Sequence, residues 1–321
     1  MNQPTILITG GTGFVGSHLV EILIELGQKN IHVTSYSDKP EFVHKLLPQE
    51  QIHQLDLTNQ EKTFALIKKI RPDQIYHLAS LASVGKSFNN TKQVLDNNTQ
   101  LQLNILEAIK QFSPQSRLLI IGSAMEYDLA TKYSNHDSQA ITETYPLGPA
   151  NPYGVSKIIQ DLLAYAYFQS FKLNIIRVRP FNHIGERQTP DFAIPTFAQQ
   201  IVAIENGQQK TLKVGNLTAV RDFTDVKDMV QAYLLLMEKG KIGQVYNVGT
   251  GHGYIIQEVL NILISLAKVK IEVEIDQTRM RPSDVPVAVA NPKKINDLGW
   301  QPTIELKKTL ERILAYWRSQ L

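Results

Sequence analysis

The chain has no cysteine. Disulfides, thiolate metal sites and a cysteine nucleophile are excluded at once. It also lacks a long apolar run. No segment approaches the ~20 uninterrupted apolar residues of a membrane span, and no basic stretch precedes an apolar one near Met1, so no membrane partner and no signal peptide are expected and the cytoplasm is the default location. Charge of either sign is not in large excess: 33 Lys and Arg against 30 Asp and Glu leave a formal +3, too little to argue for nucleic acid. The 8 histidines are scattered, with no H-E-x-x-H and no close pair on a helix, so no metal is expected. Gly85-Lys86-Ser87 ends like a P-loop, but the glycine required five residues before Gly85 is Ser80. A G-x-S-x-G nucleophile elbow is also missing, as are internal repeats and low-complexity segments.

What is present is an ordinary globular composition, 43% hydrophobic and 20% charged over 321 residues, enough for a sizeable core. Up to about residue 180 strand-like and helix-like stretches alternate. Strands are expected at Thr5–Thr9, Ile31–Ser37, Gln74–Leu78, Leu118–Gly122 and Asn174–Val178, with helices at Phe14–Leu26, Thr91–Phe112 and Tyr153–Phe171. This rhythm predicts an α/β fold of Rossmann type, a doubly wound parallel sheet with helices on both faces. Beyond residue 180 Pro, Gly and Arg interrupt the pattern. Helices fit Phe192–Glu205, Val226–Glu238, Ile256–Ala267 and Leu306–Arg318, and strands fit Gln244–Val248 and Ile271–Ile275. Two parts follow: a dinucleotide-binding domain over 1–180 and a smaller C-terminal α/β substrate lobe over 181–321, with chain crossing between them.

The strongest local signal is Thr9-Gly10-Gly11-Thr12-Gly13-Phe14-Val15-Gly16. Gly10, Gly13 and Gly16 form G-x-x-G-x-x-G between the first strand and the first helix. The first glycine permits a tight turn, the second lets a pyrophosphate approach the backbone, and the third lets helix and strand pack closely. The helix N-terminus then offers free N–H groups to phosphates. Thr12, Phe14 and Val15 share that turn. Ser37 and Asp38, after the second strand, are placed to sense the adenosine ribose. Asp38 argues for a free 2′-hydroxyl, Lys39 for a 2′-phosphate, so NADH and NADPH both stand. Asp56-Leu57 is expected near the adenine.

Tyr153-Gly154-Val155-Ser156-Lys157 is Y-x-x-x-K, which sets phenol and ammonium one turn apart on a helix face. The ammonium is expected to lower the phenol pKa from about 10 and make Tyr153 a general acid/base. Ser123 closes the strand Leu118–Gly122, at the sheet edge where open α/β folds bind ligands, and is expected to polarise a carbonyl opposite Tyr153. Taken alone, Y-x-x-x-K is common as a surface pair; the glycine turn and Ser123 in chain order give it weight.

With these motifs in this order, the chain resembles the extended short-chain dehydrogenase/reductases along nearly its full length. The resemblance implies that Leu78 and Ala79, within His77-Leu78-Ala79-Ser80, lie beside the cofactor, and that Asn98 supports the active site. It also matches Asn247-Val248-Gly249 to a late family segment. Arg179-Pro180-Phe181-Asn182-His183-Ile184-Gly185, Val214-Gly215-Asn216-Leu217 with Arg221-Asp222-Phe223, and Arg281-Pro282-Ser283-Asp284-Val285-Pro286 look like the branch acting on GDP-linked sugars. That branch holds GDP-mannose 4,6-dehydratases and GDP-4-keto-6-deoxy-mannose reductases, and the overall likeness is greatest to the reductases. By resemblance Arg221 and Arg281 hold a diphosphate, Asp284 the nucleotide ribose and Asn182 the sugar-phosphate region. The family also implies a homodimer through a bundle of the helices at Thr91–Phe112 and Tyr153–Phe171. Two departures stand out: the family's G-P-G-Q reads Gly185-Glu186-Arg187-Gln188, and the glycine usual after the tyrosine of the serine segment is Asp128.

Chemistry separates the family's reactions. A 4,6-dehydratase needs an acid/base carboxylate two residues before the tyrosine of Ser123-Ala124-Met125-Glu126-Tyr127, and that position is Met125. Glu126 is one residue off, and in an extended segment it faces the other way; only a local bulge re-aims it. Dehydration is therefore disfavoured and C4-ketone reduction favoured. A 4-epimerase uses the same triad and is set aside only by the GDP-sugar-like segments. A non-catalytic NAD(P) sensor would not need Ser123, Tyr153 and Lys157 together.

Overall fold

The computed structural model describes residues 3–36, 41–130, 140–280 and 285–321. Ser37, Asp38, Arg281 and Asp284, four of the expected ligand contacts, lie outside these described residues. In chain order the strands are β1 (Ile6–Thr9), β2 (Ile31–Ser35), β3 (Ile52–Gln54), β4 (Gln74–His77), β5 (Arg117–Ile121), β6 (Asn174–Pro180), β7 (Asn182–Ile184), β8 (Thr211–Val214), β9 (Val220–Asp225), β10 (Val245–Val248), β11 (Gly253–Ile255), β12 (Glu272–Ile275) and β13 (Val287–Ala288). Seven of them form one parallel sheet in the order β10-β6-β5-β4-β1-β2-β3.

All four residues of β1 are buried, as a strand covered on both faces requires. Its alternate side chains serve different layers. Ile6 and Ile8 join Leu19 and Leu23 of the helix Phe14–Glu25 and Val230 and Tyr233 of the helix Val226–Lys239. Leu7 joins Leu66, Ile105, Ile109 and Ala164 from the helices Gln60–Ile70, Thr91–Phe112 and Pro152–Phe171. The strand order reverses between β1's two neighbours, β2 and β4, so a crevice opens above their carboxyl ends.

The smaller lobe has its own core, built from Ile194, Phe197, Leu212, Phe223, Val259, Leu263, Leu310 and Ile313. These come from the helices Ala193–Glu205, Ile256–Ser265 and Leu306–Gln320 and from two small sheets, β11-β9-β13 with β7 on β9, and β12-β8. The chain crosses between lobes repeatedly: β10 and the helix Val226–Lys239 complete the large sheet's packing, and Ile295 and Trp300 return to the same core. A cut at residue 180 is thus a boundary in sequence and not in packing.

One helix and four short strands carried little sequence signal. The helix Gln60–Ile70 buries only Thr63, Leu66 and Ile67 among lysines, and its start is fixed by Asn59, whose side chain accepts from Lys62 N–H at 3.0 Å. The short strands β7, β9, β11 and β13 are held by pairing in the small lobe and not by apolar alternation.

Candidate active site

The glycine turn is built as its spacing predicts. Gly10 takes φ +66° and donates its N–H to Thr34 Oγ1 at 3.0 Å. Thr12 Oγ1 donates to Ser35 Oγ at 3.0 Å. The helix then starts at Phe14 behind Gly13, which supplies no side-chain cap, and no acidic residue sits in its first turn. Its first N–H groups therefore remain available to an anion. A Cβ on Gly16 would lie 2.4 Å from the Gly10 carbonyl oxygen, and one on Gly10 3.0 Å from Ala79 Cα. Helix, turn and the end of β4 abut with no space for side chains, a cradle that fits a dinucleotide pyrophosphate.

Ser123, Tyr153 and Lys157 meet at the carboxyl end of β5. Asn151 caps the helix Pro152–Phe171, accepting from Gly154 N–H at 2.8 Å, with proline in the first helical position. A Cβ on Gly154 would stand 2.3 Å from the Met125 carbonyl oxygen, so the helix rests directly on the serine turn. The Tyr153 phenol lies near enough to the Ser123 side chain for that hydroxyl to pull its pKa down. Lys157 Nζ donates to the Ile121 carbonyl at 2.8 Å and lies 5.8 Å from the Tyr153 ring centre.

The electrostatics correct one expectation. Burial pushes the Tyr153 phenol above its ordinary value, against the pull of Ser123 and with the help of Glu126's charge. Burial also lowers Lys157 to about 8, which Glu126 partly opposes. The ammonium donates to a backbone carbonyl, and loss of water dominates the phenol's pKa. Tyr153 therefore stays protonated at neutral pH, the form a proton donor needs.

Glu126 is re-aimed, though not into the cleft. Ala124–Glu126 is a turn of 3₁₀ helix and not an extended segment. Ser123 N–H donates to Glu126 Oε1 at 2.8 Å, and Arg179 Nε donates to Oε2 at 2.7 Å. Arg179 also reaches Asp161 Oδ2 at 2.7 Å and the Tyr127 hydroxyl at 3.1 Å, and Arg177 donates to the same Asp161 oxygen at 2.9 Å. Burial and Asp161 push the Glu126 carboxyl up to about 8 against the pull of Arg179. Gly122 accommodates this carboxyl, because a Cβ there would fall 2.2 Å from Oε1. Met125, by contrast, lines the cleft.

One cavity of about 990 Å³ runs between the lobes past these groups. Its wall includes the expected Gly10, Thr12, Gly13, Phe14, Val15 and Gly16, then Asp56, Leu57, Leu78 and Ala79. Ser123, Tyr153 and Lys157 follow, with Asn182 and Arg221 across the cleft. The family model described as GDP-mannose 4,6 dehydratase matches residues 7–313. The chain belongs to that family. It is 31% identical to the GDP-6-deoxy-D-mannose reductase of Pseudomonas aeruginosa over 98% of both chains. Among solved structures, RMD from Pseudomonas aeruginosa complexed with NADPH superposes with TM-score 0.84 at 30% identity, covering 99% of this chain and 100% of that one. The UDP-glucose 4-epimerase of Thermus thermophilus complexed with NAD superposes with TM-score 0.86 at 26% identity, covering 98% and 99%.

Not every expected residue of this family member faces the cleft. Asn98 is fully buried and does not line the cavity. It accepts from Leu81 N–H at 2.8 Å and donates to Ser156 Oγ at 2.9 Å, holding the helix of Tyr153 from behind. Asn98 was expected among the cofactor contacts as well as in support of the site, and it stands behind the cavity wall. The Glu186-Arg187 departure is taken up by ion pairs: Glu186 accepts from Arg312 Nε at 2.8 Å, and Arg187 reaches Glu21 of the helix Phe14–Glu25 at 2.8 Å. Sequence reasoning missed several wall residues, among them Lys213, Arg279, His183 and Tyr233. Lys213 and Arg279 add positive charge to the wall that also holds Arg221 and Tyr233, and His183 stacks on Phe14 with ring centres 5.9 Å apart. Of these only His183 stood within a quoted motif; Tyr233 reads as one more apolar position of an amphipathic helix.

Proposed function

We propose that this chain reduces the C4 ketone of a GDP-4-keto-6-deoxy-hexose to a GDP-6-deoxy-hexose such as GDP-D-rhamnose, using NADPH or NADH. One observation carries the choice among family reactions. Met125, which cannot take a proton, lines the cleft where a dehydratase needs a carboxylate, and Glu126 is sealed behind it on Arg179.

When bound, the reduced nicotinamide supplies the hydride to C4. The free N–H groups at Phe14 and beyond, with the positive end of their helix, hold the pyrophosphate. Ser123 Oγ, in the same cavity wall as Tyr153, donates its proton to the ketone oxygen in a hydrogen bond and polarises it. Tyr153, kept protonated by burial, gives its proton to the alkoxide that develops. Lys157, fixed on Ile121, offers its remaining N–H donors to the cofactor ribose and supplies positive charge beside the phenol. Arg221 from β9 faces the same cleft and suits a diphosphate, as do Lys213 and Arg279.

A reaction with GDP-4-keto-6-deoxy-mannose and NADPH or NADH, followed by loss of reduced-nicotinamide absorbance and by NMR of the product, tests this. Tyr153→Phe is expected to lower kcat by roughly 10²–10⁴-fold. Inert ketosugar with turnover of UDP-sugars refutes the assignment, and binding of cofactor with no turnover of any nucleotide sugar points to a sensor.

The same reading includes a homodimer. Val155, Leu162 and Tyr165 leave an apolar stripe exposed on the helix Pro152–Phe171, beside the helix Thr91–Phe112, which suits a two-fold bundle. A monomer by light scattering rejects it. A cytoplasmic location also belongs to this reading, because substrate and cofactor are highly charged and do not cross bilayers unaided; cell fractionation tests it. Among the described residues no helix is long and apolar enough to cross a membrane.

A further inference from the structure

Tyr233 lies on the helix Val226–Lys239, which packs against β5, β6 and the helix Phe14–Glu25. Its ring belongs to the core of the larger lobe and is fully buried, yet the residue forms part of the cavity wall that also holds Ser123, Tyr153 and Asn182. Its hydroxyl has no hydrogen-bond partner among the described residues. It is close enough to Tyr153 for that group's charge to help raise its pKa, after burial itself. A buried O–H without a partner is costly, and native proteins keep few of them. Phenylalanine would fill the same space without the cost.

The position narrows what the hydroxyl is for. It packs in one apolar cluster with Val15 after the glycine turn, Ile121 at the end of β5 and Val178 of β6, and it shares the cavity wall with Ser123 and Tyr153. A dinucleotide whose pyrophosphate rests on Phe14 and whose reactive ring faces Tyr153 must bring its ring amide into this region. That amide is the one group on the nicotinamide ring with both a hydrogen-bond donor and an acceptor. We propose that the Tyr233 hydroxyl is a binding group for the nicotinamide carboxamide and fixes the ring's rotation beneath the ketone. This inference rests on the dinucleotide reading above.

The test compares wild type with Tyr233→Phe in three measurements. The melting temperature of the cofactor-free protein is expected to hold or rise by about 1–3 °C, since an unpaired buried hydroxyl is removed. The Kd for NADPH, or for NADH if that binds better, is expected to rise roughly 10-fold. The Kd for the matching ADP-ribose fragment, which lacks nicotinamide, should stay within about two-fold, a margin set by binding accuracy. Equal dinucleotide affinity in the two proteins overturns the proposal, as does equal weakening of dinucleotide and fragment. A lowered melting temperature with unchanged affinity also overturns it, by assigning the hydroxyl to a buried water. Failure of wild type to bind either dinucleotide overturns the dinucleotide reading itself, together with this inference.

Discussion

Glu126→Ala is the perturbation that bears most directly on how the site is built. The carboxyl has no exposed surface, receives the Ser123 N–H at 2.8 Å and receives Arg179 Nε at 2.7 Å. Truncation leaves the Ser123 N–H without an acceptor, a loss of ~1–3 kcal/mol. Removing one partner of a buried ion pair costs ~3–5 kcal/mol. Arg179 keeps Asp161 and the Tyr127 hydroxyl, and a carboxyl pushed up to about 8 is mostly neutral near pH 7, so the ion-pair share falls below the low end. The sum is about 4 kcal/mol, a large part of the ~5–15 kcal/mol that holds a typical native state. Urea unfolding measures it through the midpoint at constant slope. Ketosugar turnover should fall as well, because the serine turn loses its anchor. Glu126→Gln retains an acceptor for Ser123 and should sit between Ala and wild type in both readouts. A stability change below about 1 kcal/mol with unchanged kcat refutes the clamp, since that lies within ordinary surface-mutation effects. Wild-type dehydration of GDP-mannose that vanishes in Glu126→Gln without loss of stability would make Glu126 an acid/base and sink the reductase assignment.

Further outcomes follow from other features. Gly16→Ala would set a Cβ 2.4 Å from the Gly10 carbonyl oxygen and 2.6 Å from Gly11 Cα; backbone must shift, so a stability loss of about 1–3 kcal/mol is expected with weakened dinucleotide binding, and unchanged affinity by fluorescence titration would refute the cradle. Burial holds His77 down to about 3 and His18 down to about 4. Below the ordinary 6.5 the unfolded chain gains protons that these residues refuse when folded, so each contributes a stability loss of up to ~1.4 kcal/mol per pH unit on acidification. Stability present above pH 6.5 is thus lost toward the folded values, opposed over the same range by Glu126, and an NMR titration that puts either imidazole near 6.5 in the folded protein would contradict this. Asp228 accepts Thr303 N–H at 3.0 Å and Ile304 N–H at 2.9 Å; Asp228→Ala should loosen the C-terminal helix, read as faster hydrogen exchange in Leu306–Gln320.

Much of this architecture was legible from the residues. The helix Thr91–Phe112 has the bounds its spacing predicts, because its apolar face is regular over its full length. The glycine turn was legible because backbone geometry there admits nothing larger. The phenol's acidity was not: the motif fixes which groups are near, while burial, against the pull of Ser123, decides the direction of the shift. Glu126 shows a related limit. Strand alternation assumes extended backbone, and the 3₁₀ turn after Ser123 breaks that assumption while leaving the carboxyl out of the cleft by another route. Tyr233 could not be found at all, since nothing in an apolar helix stripe marks a hydroxyl that lacks a partner.

The interleaved path of the backbone limits how this molecule can open. β10 is an edge of the large sheet, while β9 before it and β11 after it belong to the small lobe. Several covalent straps therefore span the cleft side by side, and substrate entry is restricted to a narrow flexing about them, with no single swivel point. A protease nick between β7 and β8 is expected to leave both fragments co-eluting on gel filtration, each still woven into the other's core; fragments that part without denaturant would disprove it.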